Sequence, residues 1–154
     1  MNWGELKQRI RDLGFEEDGT MTEYATIVIN ASNRAINMII QDILVPNKSY
    51  FEALYTTKET VVDPDTGEET VVVTPWEMPP MDQITADTTD NTDIELPDRV
   101  IPVVSRLASH YVWLDDDQVK ATIYWNEYDD FKAELYNEAH SRNYNCEFYG
   151  GLWF

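Results

Sequence analysis

Apolar residues recur along this chain at two spacings, and the changes between them divide it into three regions. Trp3, Leu6, Ile10 and Leu13 stand three or four apart, the spacing of one face of a helix. Asn2, with Glu5 three residues on, fits a capping box at its start. Gly14 suits its end, since a residue without a Cβ tolerates a left-handed backbone. Phe15 is expected to pack back, and EEDGT reads as a polar turn. Thr22, with Met21 ahead of it as a staple residue, then opens a second helix running to about Asp42. Tyr24, Ile27, Val28, Ala31, Ala35, Met38 and Ile39 line one of its faces, and Ile29, Ile36, Ile40 and Ile43 a second. A helix apolar on two sides is sandwiched between others. It is therefore expected to be the central helix of a bundle, ended by Val45-Pro46-Asn47.

Beyond Asn47 the period becomes extended. Residues 50–56 (YFEALYT) alternate loosely and suit a strand. Lys58–Val62 and Glu69–Thr74 are rich in β-branched residues and flank DPDTGE, the pattern of a β-hairpin. A lone hairpin is marginal in water, so it is expected to pack on the bundle, on the first strand or on a partner. Acids at its tip discourage edge-to-edge aggregation. Pro75, Pro79 and Pro80 stiffen the next stretch. Residues 81–97 form a long acidic loop whose apolar content is mainly Ile84, Ile94 and Leu96; such a loop is usually functional or wraps a neighbour.

Helical spacing returns at Pro97 or Asp98, where Pro102 is tolerated only in the first turn. Val100, Ile101, Val104, Leu107, Ala108, Tyr111 and Val112 form the buried stripe of a third helix, and Leu114-Asp115-Asp116-Asp117 makes a corner. Val119, Ile123, Tyr124, Tyr128, Phe131 and Leu135 carry a fourth helix to about Ala139. Residues 141–154 are too irregular for another core helix. The expected fold is mainly α: a four-helix bundle with an inserted β-hairpin and a long acidic loop between helices 2 and 3, and an extended C-terminal tail. It is a single domain over 1–154, with the bundle at 1–45 and 97–140, the insertion at 50–96 and the tail at 141–154.

Length and charge narrow the functional classes. A chain of 154 residues buries roughly 68–70% of its unfolded surface, enough for a core without metals or disulfides, and a single cysteine, Cys146, leaves no internal disulfide. No apolar run approaches the roughly 20 residues that span a bilayer, and residues 1–11 lack a signal-peptide core. No membrane partner is expected, and the protein should stay in the cytoplasm or leave it only inside something else. The net charge is −18, which argues against direct binding to phosphates. From Glu59 to Asp98 there is no Lys or Arg, while acids recur throughout. That stretch suits a solvated, self-repelling insertion, a DNA mimic, or a surface past which DNA slides.

Candidate chemistry is sparse. Asp115, Asp116 and Asp117 could offer oxygens to a hard cation, but capping of the following helix explains them more simply, and Asp116 stands four residues before Lys120. Asp63-x-Asp65-x-Gly67 resembles the start of a calcium loop, yet its twelfth position is Thr74, so a hairpin turn is the better reading. Cys146 with His140, or Ser105 with His110, lacks any local signature of a nucleophilic set, and both histidines read as surface or interface groups. Phosphate-binding loops, dinucleotide-binding glycine patterns and metal-protease motifs are absent from the sequence. No enzyme activity, cofactor or metal is expected. The tail is different: Tyr144, Phe148, Tyr149, Leu152, Trp153 and Phe154 are many large apolar groups for a free end. They either fold back or anchor on another protein.

Three stretches, in order, resemble the head–tail connector adaptors of tailed bacteriophages. WGELKQRIRDLGFEEDG and ATIVINASNRAINMIIQDI, centred on Asn33-Arg34-Ala35-Ile36, are similar to the opening helices of that family. DTTDNTDIELPDRVIPVVSRLASHYVWLDDD is similar to its return to the bundle, and KATIYWNEYDDFKAEL to its last helix. The resemblance covers about two thirds of the chain and leaves out the hairpin. It implies a non-enzymatic virion protein at the head–tail neck, made in the host cytoplasm during assembly. Such a protein forms a homo-oligomeric ring of about twelve copies beneath the portal protein, extends the DNA channel and meets the next neck or tail-completion protein. On that view Tyr144, Phe148, Tyr149, Leu152, Trp153 and Phe154 dock on the portal. Val61, Val62, Val71, Val72 and Trp76 are candidates for a subunit or tail-side interface. Asp82, Asp87, Asp90 and Asp93 are candidate channel acids, past which DNA slides without specific binding. The alternative is an acidic DNA-mimic module that inhibits a nucleic-acid-binding protein.

Overall fold

A computed structural model describes residues 1–14 and 23–151, with side chains as far as Ser141. Along the chain come α1 (Trp3–Asp12), α2 (Ala25–Ile39) running into a π-helical turn (Ile40–Leu44), α3 (Lys48–Tyr55), β1 (Thr57–Val62), β2 (Glu69–Thr74), α4 (Ile101–Trp113) and α5 (Gln118–Gly151). The protein is mainly helical, with one two-stranded antiparallel sheet.

The helix around which the others gather is α4, not α2 as the two apolar stripes suggested. It packs against α5, α2 and α1, and Val103, Val104, Leu107, Ala108, Val112 and even Ser105 and Ser109 are buried. Small residues on its polar side are what allow close neighbours all round. Pro102 stands in its first turn, where the lost N–H would have had no helical partner. The second stripe of α2 is only partly used: Ile36, Ile40 and Ile43 are buried, Ile29 is half-buried, and Ile27 on the first stripe is exposed.

The ends of α1 follow the expected chemistry at one side only. The Asn2 side chain accepts from the Glu5 N–H at 2.8 Å, and Glu5 returns a bond to the Asn2 N–H at 2.9 Å. Gly14 is required for a different reason from the one expected. Its backbone is not left-handed; instead a Cβ there would fall 2.4 Å from Nε1 of Trp113. The Tyr124 hydroxyl donates to the Leu13 carbonyl, which the helix end leaves open. Thr22, Met21, Phe15 and the EEDGT turn lie outside the described residues.

The π turn has a cause in Pro46. An α-helical Asp42 carbonyl would take the N–H of residue 46, and proline has none. Val45 N–H reaches back to Ile40 at 2.9 Å, the Asn47 amide donates to Ile43 at 2.8 Å, and the Tyr136 hydroxyl donates to Asp42. The wider turn lets Ile39, Ile40, Ile43 and Leu44 all face inward.

Two expectations fail beyond this point. Residues 50–56 are not a strand: Lys48–Tyr55 is helical. Tyr50, Phe51, Leu54 and Tyr55 stand at i, i+1, i+4 and i+5, a helical pairing masked by the mixed residues between. The C-terminal segment is not extended either, since the backbone of α5 stays helical to Gly151. Residues 140–149 contain no proline or glycine, and propagating an existing helix adds a hydrogen bond for each residue ordered.

At the corner, Asp117 caps α5, accepting from the Lys120 N–H at 3.0 Å. Asp116 accepts from the Tyr24 hydroxyl. Lys120 lies 4.0 Å above the Trp113 ring instead of answering the aspartates along the helix. On α5, Tyr128 is fully buried, its hydroxyl pKa is raised by that burial, and the oxygen has no hydrogen-bond partner among the described residues. An unsatisfied buried hydroxyl costs about 1–3 kcal/mol. Tyr128→Phe should therefore raise the unfolding free energy by about 1 kcal/mol in urea titration. A fall of similar size would mean that the hydroxyl holds a bond.

Candidate functional site

Two features of the insertion stand out: a hairpin that leaves the body, and a strap that returns along it. The hairpin pairs Thr57 with Thr74 through to Val62 with Glu69. All twelve strand residues are exposed. Val61, Val62, Val71, Val72 and Val73 are between 46% and 59% exposed, so the strands find no cover on the body. Alternation explains why no single apolar side forms. Glu59, Val61, Thr70 and Val72 share one face, and Lys58, Thr60, Val62, Glu69, Val71 and Val73 the other.

The turn is held by its own first residue. The Asp63 carboxylate accepts from the Asp65 N–H at 2.8 Å and the Thr66 N–H at 3.3 Å, and Gly67 adopts a left-handed φ of +71°. These donors hold the Asp63 carboxyl below the usual carboxylate range, the Asp65 N–H most strongly. Because its pKa is lowered in the folded turn, Asp63 stabilises the turn above the free aspartate pKa and ceases to as pH falls through its own. Carboxyl 13C shifts should show Asp63 titrating below free aspartate; a midpoint at or above the free value would contradict the turn geometry.

The hairpin base is aromatic. Phe51, fully buried, meets Tyr50 edge-on at 5.3 Å, Tyr55 at 6.3 Å and Trp76 at 5.8 Å between ring centroids. Trp76 therefore belongs to the hinge region rather than to the exposed valine surface. Glu138 on α5 ties this base down, accepting from the Tyr50 hydroxyl at 2.8 Å and from Arg99 at 2.6 Å.

The strap, residues 81–96, wraps this chain's own helices. Side-chain amides stand in for a neighbouring strand. Asn33 donates to the Ile84 carbonyl at 2.6 Å and accepts from its N–H at 3.0 Å. One turn on, Asn37 accepts from the Asp82 N–H at 3.0 Å and donates to its carboxylate at 2.8 Å, where Asp82 holds a left-handed φ of 52°. Gln83 clamps Glu95 in the same two-bond manner at 3.1 and 2.7 Å. Farther on, the Thr92 and Asp90 carbonyls accept from the Trp3 and Gly4 N–H groups, two open donors of α1. Ile84 and Ile94 are buried beneath.

All four candidate channel acids are exposed, but not alike. Asp82 is bound to Asn37, Asp90 is paired with Lys7 at 2.5 Å, and the backbone of Asp93 bridges to Asn2; Asp87 is exposed on the strap. The side chains of Tyr144, Phe148 and Tyr149, and all of Leu152, Trp153 and Phe154, lie outside the described residues. His110 is half-buried between α4 and α5, 2.8 Å from the Ala121 carbonyl and 5.1 Å from the Trp125 ring. Val119 and Ile123, placed in the core by spacing, are 74% and 52% exposed. They stand off the Ala121, Tyr124, Tyr128 and Leu135 stripe, and that offset was the available signal. Val73 was also missed, although it extends the same valine run.

No helix among the described residues is long and apolar enough to cross a membrane. Among them, no three His, Cys, Asp or Glu side chains gather to hold a metal ion. No family model, curated protein or solved structure matches the chain.

Proposed function

We propose that the protein is a structural connector at the neck of a tailed-phage virion, joining the portal to the tail as a ring around the DNA channel. In this reading α1, α2, α4 and α5 form the four-helix body, the hairpin reaches toward a neighbouring subunit or the tail side, and the C-terminal residues dock on the portal. The observation that carries it is the hairpin: twelve exposed strand residues with five exposed valines, held by a buried aromatic base. A monomer gains nothing from such an arm, whereas an assembling subunit gains a contact surface. The −18 charge adds a second support, because acids lining a channel repel phosphate within about 8 Å at physiological salt. The same charge would suit a DNA mimic. Against it, Asp90 is paired with Lys7 rather than set out as a free charge.

The test is attachment. The full chain is expected to co-sediment with DNA-filled, portal-bearing capsids, and a chain lacking Asn145–Phe154 is not. Equal attachment of both would overturn the tail assignment. Salt-sensitive retention of a DNA-binding protein, with no capsid attachment, would favour the mimic.

A further inference from the structure

The hairpin edges carry a specific pairing pattern. The Asp63 N–H donates to the Glu68 carbonyl at 2.9 Å, which sets the direction of every peptide along both strands. Backbone groups of Val61 and Glu59 on β1, and of Thr70, Val72 and Thr74 on β2, point into the hairpin. Those of Lys58, Thr60 and Val62, and of Glu69, Val71 and Val73, point outward. Among the described residues no third strand joins the sheet, so both edges present regularly spaced donors and acceptors.

We propose that hairpins of neighbouring copies join edge to edge, β2 of one copy beside β1 of the next, in the register each hairpin already uses within its own chain. This rests on the ring reading and says how the ring closes on its hairpin side. Outward-facing Val71 of one copy then bonds with Thr60 of the next, and Val73 with Lys58, while Val72 stands opposite Glu59 in a non-hydrogen-bonded pair. The register overlaps all six residues and sets no charge opposite another charge. That matters between copies that each carry −18, since like charges directly opposite destabilise a strand pair.

The two edges are unequal in the way this pairing needs. Strands exposed at an edge are ordinarily blunted with lysine, proline, bulges or inward charge. Residues 70–76 are the longest acid-free run between Glu59 and Asp98, and Thr70–Thr74 carries no charge or proline at all. Asp63, Asp65 and Glu68 sit at the turn, beyond the paired region, while Glu59 and Glu69 lie within it opposite valines. β1 offers the complementary edge, with Lys58 as the only cation in either strand. A head-to-tail contact between different edges repeats around a ring, whereas β2 against β2 would stop at a dimer.

Thiol cross-linking reads the register directly. In a Cys146→Ser background, Glu59→Cys chains are mixed with Val72→Cys chains and gently oxidised. Both positions are exposed, so neither substitution opens the core, and each single variant lacks an internal thiol partner. A non-hydrogen-bonded pair brings its Cβ atoms within about 4.5–5.5 Å, near disulfide reach. The expected result is a mixed disulfide dimer in clear excess over either homodimer. A Val72→Cys homodimer as the main product would replace this arrangement with β2–β2 pairing. If electron microscopy shows rings of the wild-type chain and no mixed disulfide forms, edge pairing is wrong and the ring reading stands. If neither rings nor the disulfide form on portal-bearing capsids, both fall.

Discussion

Phe51→Ala is expected to cost about 3–5 kcal/mol of stability and to loosen the hairpin from the body. Phe51 has no exposed surface, and its ring meets Tyr50, Tyr55 and Trp76. Two of those partners come from its own helix, and Trp76 comes from the chain just after β2. Removing the ring therefore opens a cavity where the hairpin enters and leaves. Urea unfolding gives the energy, and the Trp76 indole NMR signal should shift toward a solvated position. The contrast is Val72→Ala on the strand itself, which is expected to stay within about 0.5 kcal/mol because nothing within the chain covers it. Equal costs at the two sites would mean that the hairpin is buried after all.

The second large effect is expected from the strap. Asn33→Ala removes both partners of the Ile84 peptide, and Asn37→Ala removes those of the Asp82 N–H and carboxylate. Leaving the part-buried Ile84 groups unpaired costs about 1–3 kcal/mol, whereas the exposed Asp82 groups turn to water and Asn37→Ala costs about 0.5–1.5 kcal/mol. Because both clamps hold one segment, the double variant should cost less than the sum of the singles, the mark of coupled sites. Amide exchange at Ile84 should rise in both variants, and limited proteolysis should cut within 85–93. Unchanged exchange at Ile84 would show that the buried isoleucines alone hold the strap.

These two sites also show where the sequence was legible. Helical spacing found α1, α2, α4 and the start of α5, and β-branched runs around DPDTGE found the hairpin. Chain-local patterns failed where the deciding partner was distant. α3 looked extended because its aromatic pairing matters only once Trp76 arrives from twenty-five residues on. The central position of α4 depended on Ser105 and Ser109 being small enough to bury, which periodicity counts as polar. Gly14 was marked by its position after a helix, while its real constraint is the Trp113 ring. The acidic loop was expected to be functional or to wrap a neighbour, and nothing in its own composition pointed to this chain's helices. Asn33 and Asn37, one helical turn apart, are the reason it wraps its own chain. Acid content could not separate Asp90, tied to Lys7, from Asp87 on the same strap.

The most direct test is an image of the assembled neck. DNA-filled capsids carrying the portal, incubated with the full chain and viewed by electron cryomicroscopy, should show a ring of this protein coaxial with the portal, enclosing the DNA channel. Bare portal vertices after saturating incubation, with the chain remaining free or bound elsewhere, would contradict the connector account.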